Sequence, residues 1–201
     1  MALATMNKGH LLALALAFVP AACRAPVTTE TPPLAGAKIG GPFTLTDQLG
    51  RSFSSTALAG KYPVIYFGYT FCPDVCPTDM AVLGQAMRRL DKADPTKAAK
   101  VQPVFITVDP DRDTPAVLKQ FVAAFHPRMI GLTGTSQQIA DVAKAYAVFY
   151  QKAAPQRGTS GYLVNHARQA ILFGPDGKPV ALVPVDADAN AVADMLAKWV
   201  R

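Results

Sequence analysis

The sequence predicts a layered α/β domain, and three observations carry that prediction. Short apolar runs of strand length (residues 64–69, 104–108 and 170–173) alternate with segments whose apolar residues recur at helical spacing. The first run leads without a break into Cys72-Pro73-Asp74-Val75-Cys76-Pro77, two cysteines at the junction of a strand and a helix. Near the C-terminus, Gly174-Pro175-Asp176-Gly177 turns one strand into another, and a helix follows. With 201 residues, 50% hydrophobic and 17% charged, the chain is long enough for one full core plus a short extra segment.

Taken in order, Phe43-Thr44-Leu45 and Arg51-Ser52-Phe53, joined through 47–50, read as a short hairpin. Residues 64–69 (VIYFGY) form a buried strand. Pro77 opens a helix that runs to about Leu90, because proline has no N–H to lose at the first helical position. Val82, Leu83, Ala86, Met87 and Leu90 lie on one side of it. Residues 104–108 make a second buried strand, ending at Asp109-Pro110, and 115–125 a helix stopped by Pro127. A third helix at 136–147 is followed by a short strand at 148–150. Strands at 162–164, 170–173 and 180–183 and a closing helix at 188–200 complete the chain, with no internal repeats. A strand ending in a cysteine motif, then a helix, a parallel strand and a terminal hairpin plus helix, is the layout of a thioredoxin-like fold. Here that fold carries an N-terminal hairpin extension.

The first residues differ in kind. Lys8 precedes a wholly apolar run from Leu11 to Val19, and the small residues Ala21-Ala22 lead to Cys23, the layout of a secretory signal. The run is too short to span a bilayer comfortably. Small residues before a cysteine also match a bacterial lipoprotein processing site, with Cys23 becoming the lipidated first residue, although Pro20 stands where leucine is usual. An uncleaved anchor is the alternative, and both put the domain outside the cytoplasm. Residues 1–23 are therefore expected to be a signal or anchor segment, 24–38 a Pro/Thr/Ala-rich flexible tether, and 39–201 the folded domain. The formal charge of +6 is scattered, with only Arg88-Arg89 adjacent and no basic cluster interleaved with aromatics, which argues against a nucleic-acid partner. A monomer is the default expectation.

If Cys23 belongs to the anchor, the domain holds only Cys72 and Cys76. A disulfide between residues so close constrains the unfolded chain little, so the pair is a poor structural staple. In an oxidising compartment it reads instead as a redox pair or a soft-metal site, and the spacing permits either. The residue before a proline disfavours helical backbone, so Cys76 is expected at the mouth of the helix, where the positive helix end eases ionisation. Among the histidines, His126 in Phe125-His126-Pro127 reads as a helix-end residue. His166 alone reads as an edge or surface residue. In a thioredoxin-like layout, however, the loop before the terminal hairpin packs beside the cysteine motif, and there His166 would complete a Cys–Cys–His site for Cu(I). Asp109, Asp111 and Asp113 cluster past a parallel strand, the edge where ligands meet open α/β sheets. Asp109 either orients the site or supplies a weak oxygen ligand; the alternative for all three is turn and capping work. Asp74 opposes thiolate formation but attracts a cation, and Met80 is core filler or a thioether neighbour.

Tyr66-Phe67-Gly68-Tyr69-Thr70-Phe71-Cys72-Pro73-Asp74-Val75-Cys76-Pro77, Phe105-Ile106-Thr107-Val108-Asp109-Pro110-Asp111-Arg112-Asp113-Thr114, Gly131-Leu132-Thr133-Gly134, Asn165-His166 and Gly174-Pro175-Asp176-Gly177 together resemble the Sco/SenC family. The blocks stand in the family's order and cover the chain from about Ile39 to its end. The resemblance implies a thioredoxin-like domain anchored in a membrane and facing the periplasm or the mitochondrial intermembrane space. It implies one copper ion bound through two cysteines and a distal histidine, here Cys72, Cys76 and His166. It further implies assembly of the CuA site of cytochrome c oxidase, by delivering copper, by reducing the recipient's cysteines, or both. The partners would be the oxidase's copper-binding subunit and a periplasmic copper donor, and the signal segment favours a bacterial version. One departure is Asn165, where the family commonly has aspartate, so a negative charge beside His166 is missing.

Two other readings use the same cysteines. A dedicated thiol–disulfide oxidoreductase of the thioredoxin kind has two residues between its cysteines and a cis-proline facing them. Here three residues intervene and no proline stands near His166. A thiol peroxidase would place a threonine three residues before the reactive cysteine, where this chain has Pro73.

Overall fold

The computed structural model describes Met1, residues 30–154 and residues 161–201. The expected signal or anchor segment with Cys23, and the tether as far as residue 29, lie outside the described residues beyond Met1 itself. Thr31–Arg201 is one compact unit, so the folded part begins before residue 39: Leu34 packs on the core and its N–H donates to Val180 O at 3.0 Å, which takes residues 31–38 out of the expected tether. Among the described residues, no helix is long and apolar enough to cross a membrane.

The expected hairpin is present: β1 (Thr44–Asp47) pairs antiparallel with β2 (Ser52–Ser54), Leu45 opposite Phe53. Buried Asp47 closes its turn, Oδ1 accepting from the N–H groups of Leu49 and Arg51 at 2.9 Å each. Next comes β3 (Tyr62–Gly68), buried from Pro63 onward. It lies between a parallel neighbour, β4 (Val101–Thr107), and an antiparallel one, β8 (Ala170–Phe173). With β5 (Ile130–Thr133) and β9 (Pro179–Val183) the described sheet has seven strands in the order β2-β1-β5-β4-β3-β8-β9. The parallel trio β3, β4 and β5 needs crossovers, and helices supply them: α1 (Val75–Ala93) with α2 (Pro95–Lys100), then α3 (Pro115–Phe125). After β5 come α4 (Ser136–Ala145), a separate ribbon of β6 (Tyr150–Lys152) and β7 (Val164–His166), and finally α5 (Ala189–Trp199), which packs on α1.

The alternation of a strand decides what each residue of β3 meets. Tyr66 turns to the α1 side and stacks on Phe105 at 6.1 Å, whereas Phe67 turns to the other face and meets Tyr146, just past α4, at 5.7 Å. Phe105 in turn meets Phe121 of α3 at 4.9 Å. The core therefore has two layers, one on each side of the sheet.

Two elements escape the sequence patterns. In β5 a glycine occupies the middle, because α3 lies so close that a Cβ on Gly131 would stand 3.2 Å from Leu118 Cβ and 3.1 Å from Val122 Cγ1. The short α2 has no apolar period; it is set by Asp94, whose side chain accepts from Lys97 N–H at 3.0 Å, and by Pro95 at its start. The ribbon strands also lie two residues later than expected. The cause is the end of α4, where Val148 N–H donates to Ala143 O and Ala147 N–H to Lys144 O, a Schellman closure that still claims residue 148. Ala147 takes the left-handed backbone of that closure, φ 56°, a position where glycine is the usual residue.

His126 has the helix-end place expected of it. It caps α3, its Nε2 lies 3.1 Å from Asp91 Oδ2, and its Nδ1 accepts from Arg128 N–H at 3.3 Å. A ring whose Nδ1 accepts is neutral, and burial holds this imidazole below its ordinary 6.5.

Two outcomes follow from these local structures. Ala147→Gly should stabilise the protein by about 1 kcal/mol, since it removes the left-handed penalty of a Cβ; unchanged thermal unfolding would contradict the strain. The depressed His126 means the unfolded chain binds the proton more readily. Its contribution to stability is therefore complete above pH 6.5 and lost as the pH falls below it. Thermal unfolding measured between pH 7.5 and 5 should show a steeper loss for the wild type than for His126→Gln.

Candidate metal centre

β3 and β4 end side by side, Gly68 opposite Thr107, and the segments leaving them carry most of the candidate residues. One carboxylate ties those segments together. Buried Asp113 accepts from Thr70 N–H at 2.9 Å, from Thr70 Oγ1 at 2.6 Å and from Thr107 Oγ1 at 2.6 Å. Burial raises its carboxyl above the ordinary value, against the pull of these hydrogen bonds. Asp113 thus does more than turn the chain: it fixes the approach to Cys72.

The structure moves Cys76 from its expected place. Helix α1 begins at Val75, so Cys76 lies inside the first turn and not at the mouth. The first N–H groups of a helix have no internal partner, so Pro77 is tolerated there and does not delay the helix. The N–H of Cys76 is one of those orphan donors, and it is satisfied by Cys72 Sγ at 3.5 Å. The expected ease of ionisation is also overturned. Cys76 is fully buried, and burial pushes its thiol well above the ordinary 9.0, with Cys72 acting in the same direction. For a sulfur this dry, desolvation outweighs the helix end.

His166 closes the site from 90 residues away. It is the last residue of β7, opposite Tyr150, and does not follow the strand as expected. Its Nδ1 lies 3.1 Å from Ala167 O and its Nε2 3.2 Å from Cys76 Sγ. A carbonyl only accepts, so Nδ1 carries the proton and Nε2 aims a lone pair at the sulfur. Burial holds the imidazole below its ordinary 6.5, which keeps that lone pair free at neutral pH. The Tyr69 and Tyr66 rings meet the imidazole edge-on, at 5.8 Å and 6.3 Å, and confine it.

The ligating atoms of Cys72, Cys76 and His166 all lie within 4.8 Å of one another, the one such cluster of its kind among the described residues. The two cysteines are free, not joined. Two soft sulfurs and an imidazole nitrogen, with the histidine's other nitrogen already fixed by a carbonyl, fit a soft cation of low coordination number such as Cu(I).

The other candidates lie outside this cluster. Fully buried Asp109 spends its oxygens elsewhere: Oδ1 accepts from Tyr162 OH at 2.6 Å and Oδ2 from Arg112 Nε. Arg112 lies over the Tyr162 ring, 3.9 Å from its centroid. Asp109 therefore grips the segment leading into β7 and presents no free oxygen to the sulfurs. Asp111 pairs with Lys152, Asp74 is exposed at the start of α1 without a capping bond, and Met80 is buried in the core. Asn165 is exposed and alternates with His166 along β7, so its side chain points away from the cysteines.

One group escaped sequence reasoning. Asp79 is fully buried on α1, where it accepts from Tyr66 OH at 2.9 Å and is gripped by Arg168, whose Nε lies 2.8 Å from Oδ2 and 3.0 Å from Oδ1. A signal was present: Asp79 shares the helical stripe of Leu83, Ala86 and Leu90, and a charge on an apolar stripe demands a partner.

Comparison with known proteins agrees with this geometry. A profile of the SCO1/SenC family matches residues 31–201. The chain is 37% identical over 177 residues to a SCO2-like protein of Rickettsia prowazekii, covering 84% of each. It is 42% identical over 140 residues to the mitochondrial SCO2 of Saccharomyces cerevisiae, covering 70% of this chain but only 46% of that one. Among solved structures, Bradyrhizobium japonicum ScoI with copper bound matches with a TM-score of 0.72 at 37% identity, over 80% of this chain and 99% of that one. The thioredoxin domain of a thiol-disulfide oxidoreductase from Bacteroides vulgatus, at 18% identity and a TM-score of 0.55 over 81% of this chain and 96% of that one, shares the fold alone. With a family match spanning 31–201 and a relative this similar over most of its length, the chain belongs to the SCO1/SenC family, on a thioredoxin-like fold.

Proposed function

We propose that this protein binds one copper ion through Cys72, Cys76 and His166 and serves assembly of the CuA site of cytochrome c oxidase. The observation that carries the reading is the donor set: two free thiols and a tautomer-fixed imidazole converging within 4.8 Å in a buried site. The copper-bound ScoI of Bradyrhizobium japonicum, similar over 80% of this chain, supports the choice of metal.

Copper is cargo in this reading, and the cysteines decide whether it can be held. As thiolates they are ligands. As a disulfide they offer no anionic sulfur, so copper and the disulfide exclude each other. The same pair can serve a recipient in a second way. Two thiols passing to a disulfide release two electrons and two protons, which reduce one disulfide of the recipient to two thiols by thiol–disulfide exchange. Delivery of copper, reduction of the recipient's cysteines, or both in sequence are thus open to one site. The partners are the copper-binding subunit of the oxidase and a periplasmic copper donor.

Asp109 acts as a positioning residue, holding Tyr162 and with it the entry to β7. Residues 1–23 anchor the chain at the periplasmic side of a bacterial membrane, through lipidated Cys23 or the apolar run itself. Residues 24–30 form the tether, and the compact unit Thr31–Arg201 is the copper-binding domain.

Titration of the reduced protein with Cu(I) and Cu(II), followed by absorption, should give one tight equivalent and a sulfur-to-copper charge-transfer band. The disulfide form should give neither. Cys72→Ala or Cys76→Ala should abolish tight binding, and His166→Ala should weaken it by about 100-fold or more with the fold intact. Tight binding that survives loss of either cysteine would contradict the reading, and unchanged affinity in His166→Ala would remove His166 from the site.

A further inference from the structure

The ligand histidine has its ring confined by Tyr66, Tyr69 and Ala167 O, but no sheet ladder holds its segment against the cysteines. It ends a three-residue strand in a ribbon that is separate from the main sheet, so the ladder carrying Cys72 and Cys76 does not fix it. The ribbon's register aligns His166 with Tyr150, not with α1. What joins the His166 segment to α1 is a charge pair, its carboxylate fully buried and its guanidinium partly open to solvent. Arg168 lies two residues beyond His166, and Asp79 lies three residues beyond Cys76. Arg168 grips both oxygens of Asp79 with Nε and reaches Oδ1 with Nη2. Among the described residues no other ion pair links the segment between β7 and β8 to a helix.

Burying a carboxylate completely is costly unless its lone pairs are taken up. Here they are taken by Arg168 and by Tyr66 OH, whose ring also stands edge-on to His166. A planar guanidinium bonded to both carboxylate oxygens fixes direction as well as distance, which an ammonium cannot do. A fully buried carboxylate one turn from a ligand cysteine, held by a partly exposed guanidinium and with neither member in the donor cluster, calls for a function in the site's geometry.

We propose that Asp79 and Arg168 are positioning residues that set the reach of His166 Nε2 to the cysteine pair, with Tyr66 OH completing the grip on Asp79. This rests on the copper reading given above. The clamp acts through His166 alone, so its loss matters only while the histidine is present.

A double-mutant cycle tests this. Arg168→Ala should weaken Cu(II) binding by about tenfold and shift the charge-transfer band, while in the His166→Ala background the same change should cost less than twofold. Arg168→Lys should recover part of the loss in the wild-type background. Because removing one member leaves a buried charge, the neutral pair Asp79→Asn/Arg168→Gln is measured beside it and should retain the fold by circular dichroism while losing affinity. A metal-free readout separates this inference from the copper reading. Nitrogen-detected NMR of the His166 ring in the reduced protein should report one Nδ1–H tautomer in the wild type and a mixed population in Arg168→Ala. An equal loss in both backgrounds, or an unchanged ring signature in Arg168→Ala, would overturn the proposal. Failure of the wild type to bind copper would sink the copper reading and leave the ring signature to judge the clamp.

Discussion

The contact between Cys76 Sγ and His166 Nε2, 3.2 Å across 90 residues of chain, is the constraint on which the arrangement of this protein depends. Neither group reaches the other unless β3 delivers the cysteine motif to one end of the sheet and the β6–β7 ribbon returns to that end. The parallel pairing of β3 with β4 and the antiparallel pairing with β8 fix the first condition. The second is met by polar contacts reaching from the sheet and α1 to the ribbon, with Asp109 on Tyr162 at one side and Asp79 on Arg168 at the other. Asp113 performs the same service for Cys72 through Thr70 and Thr107. Three buried carboxylates thus surround the site, and none is a member of the ligand cluster.

That pattern has an electrostatic consequence. Desolvation keeps Cys76 protonated and His166 neutral, so the metal-free site carries an S–H donating to an imidazole lone pair and no buried ion pair of its own. A soft cation replaces the thiol protons and brings positive charge to thiolates that would otherwise be unstable in so dry a place. Uptake of metal is then coupled to release of protons. The same dryness makes Cys76 a poor free nucleophile at neutral pH, which favours a site awaiting metal or a docked partner over a general thiol reagent.

Much of this was legible in the chain. Apolar runs located β3, β4 and β8, a proline marked the start of α3, and the resemblance gathered Cys72, Cys76 and His166 from distant blocks. What sequence patterns missed has physical causes. The centre of β5 is a glycine because α3 crowds it, which removes the apolar signature of a strand. Cys76 entered the helix because an N-terminal turn has no use for the N–H that proline lacks. Its thiol was raised and not lowered because burial, a property of the packed sheet, exceeds the helix-end effect. Asp79 and Arg168 stand 89 residues apart, and only the folded chain brings them together.

The central claim, that two sulfurs and one imidazole converge on one copper ion, is tested most directly by X-ray absorption of the reduced protein loaded with one equivalent of Cu(I). The account predicts two sulfur scatterers and one histidine nitrogen per copper, with the nitrogen contribution lost in His166→Ala. A first shell of sulfur alone in the wild type, or of nitrogen and oxygen alone, would contradict it.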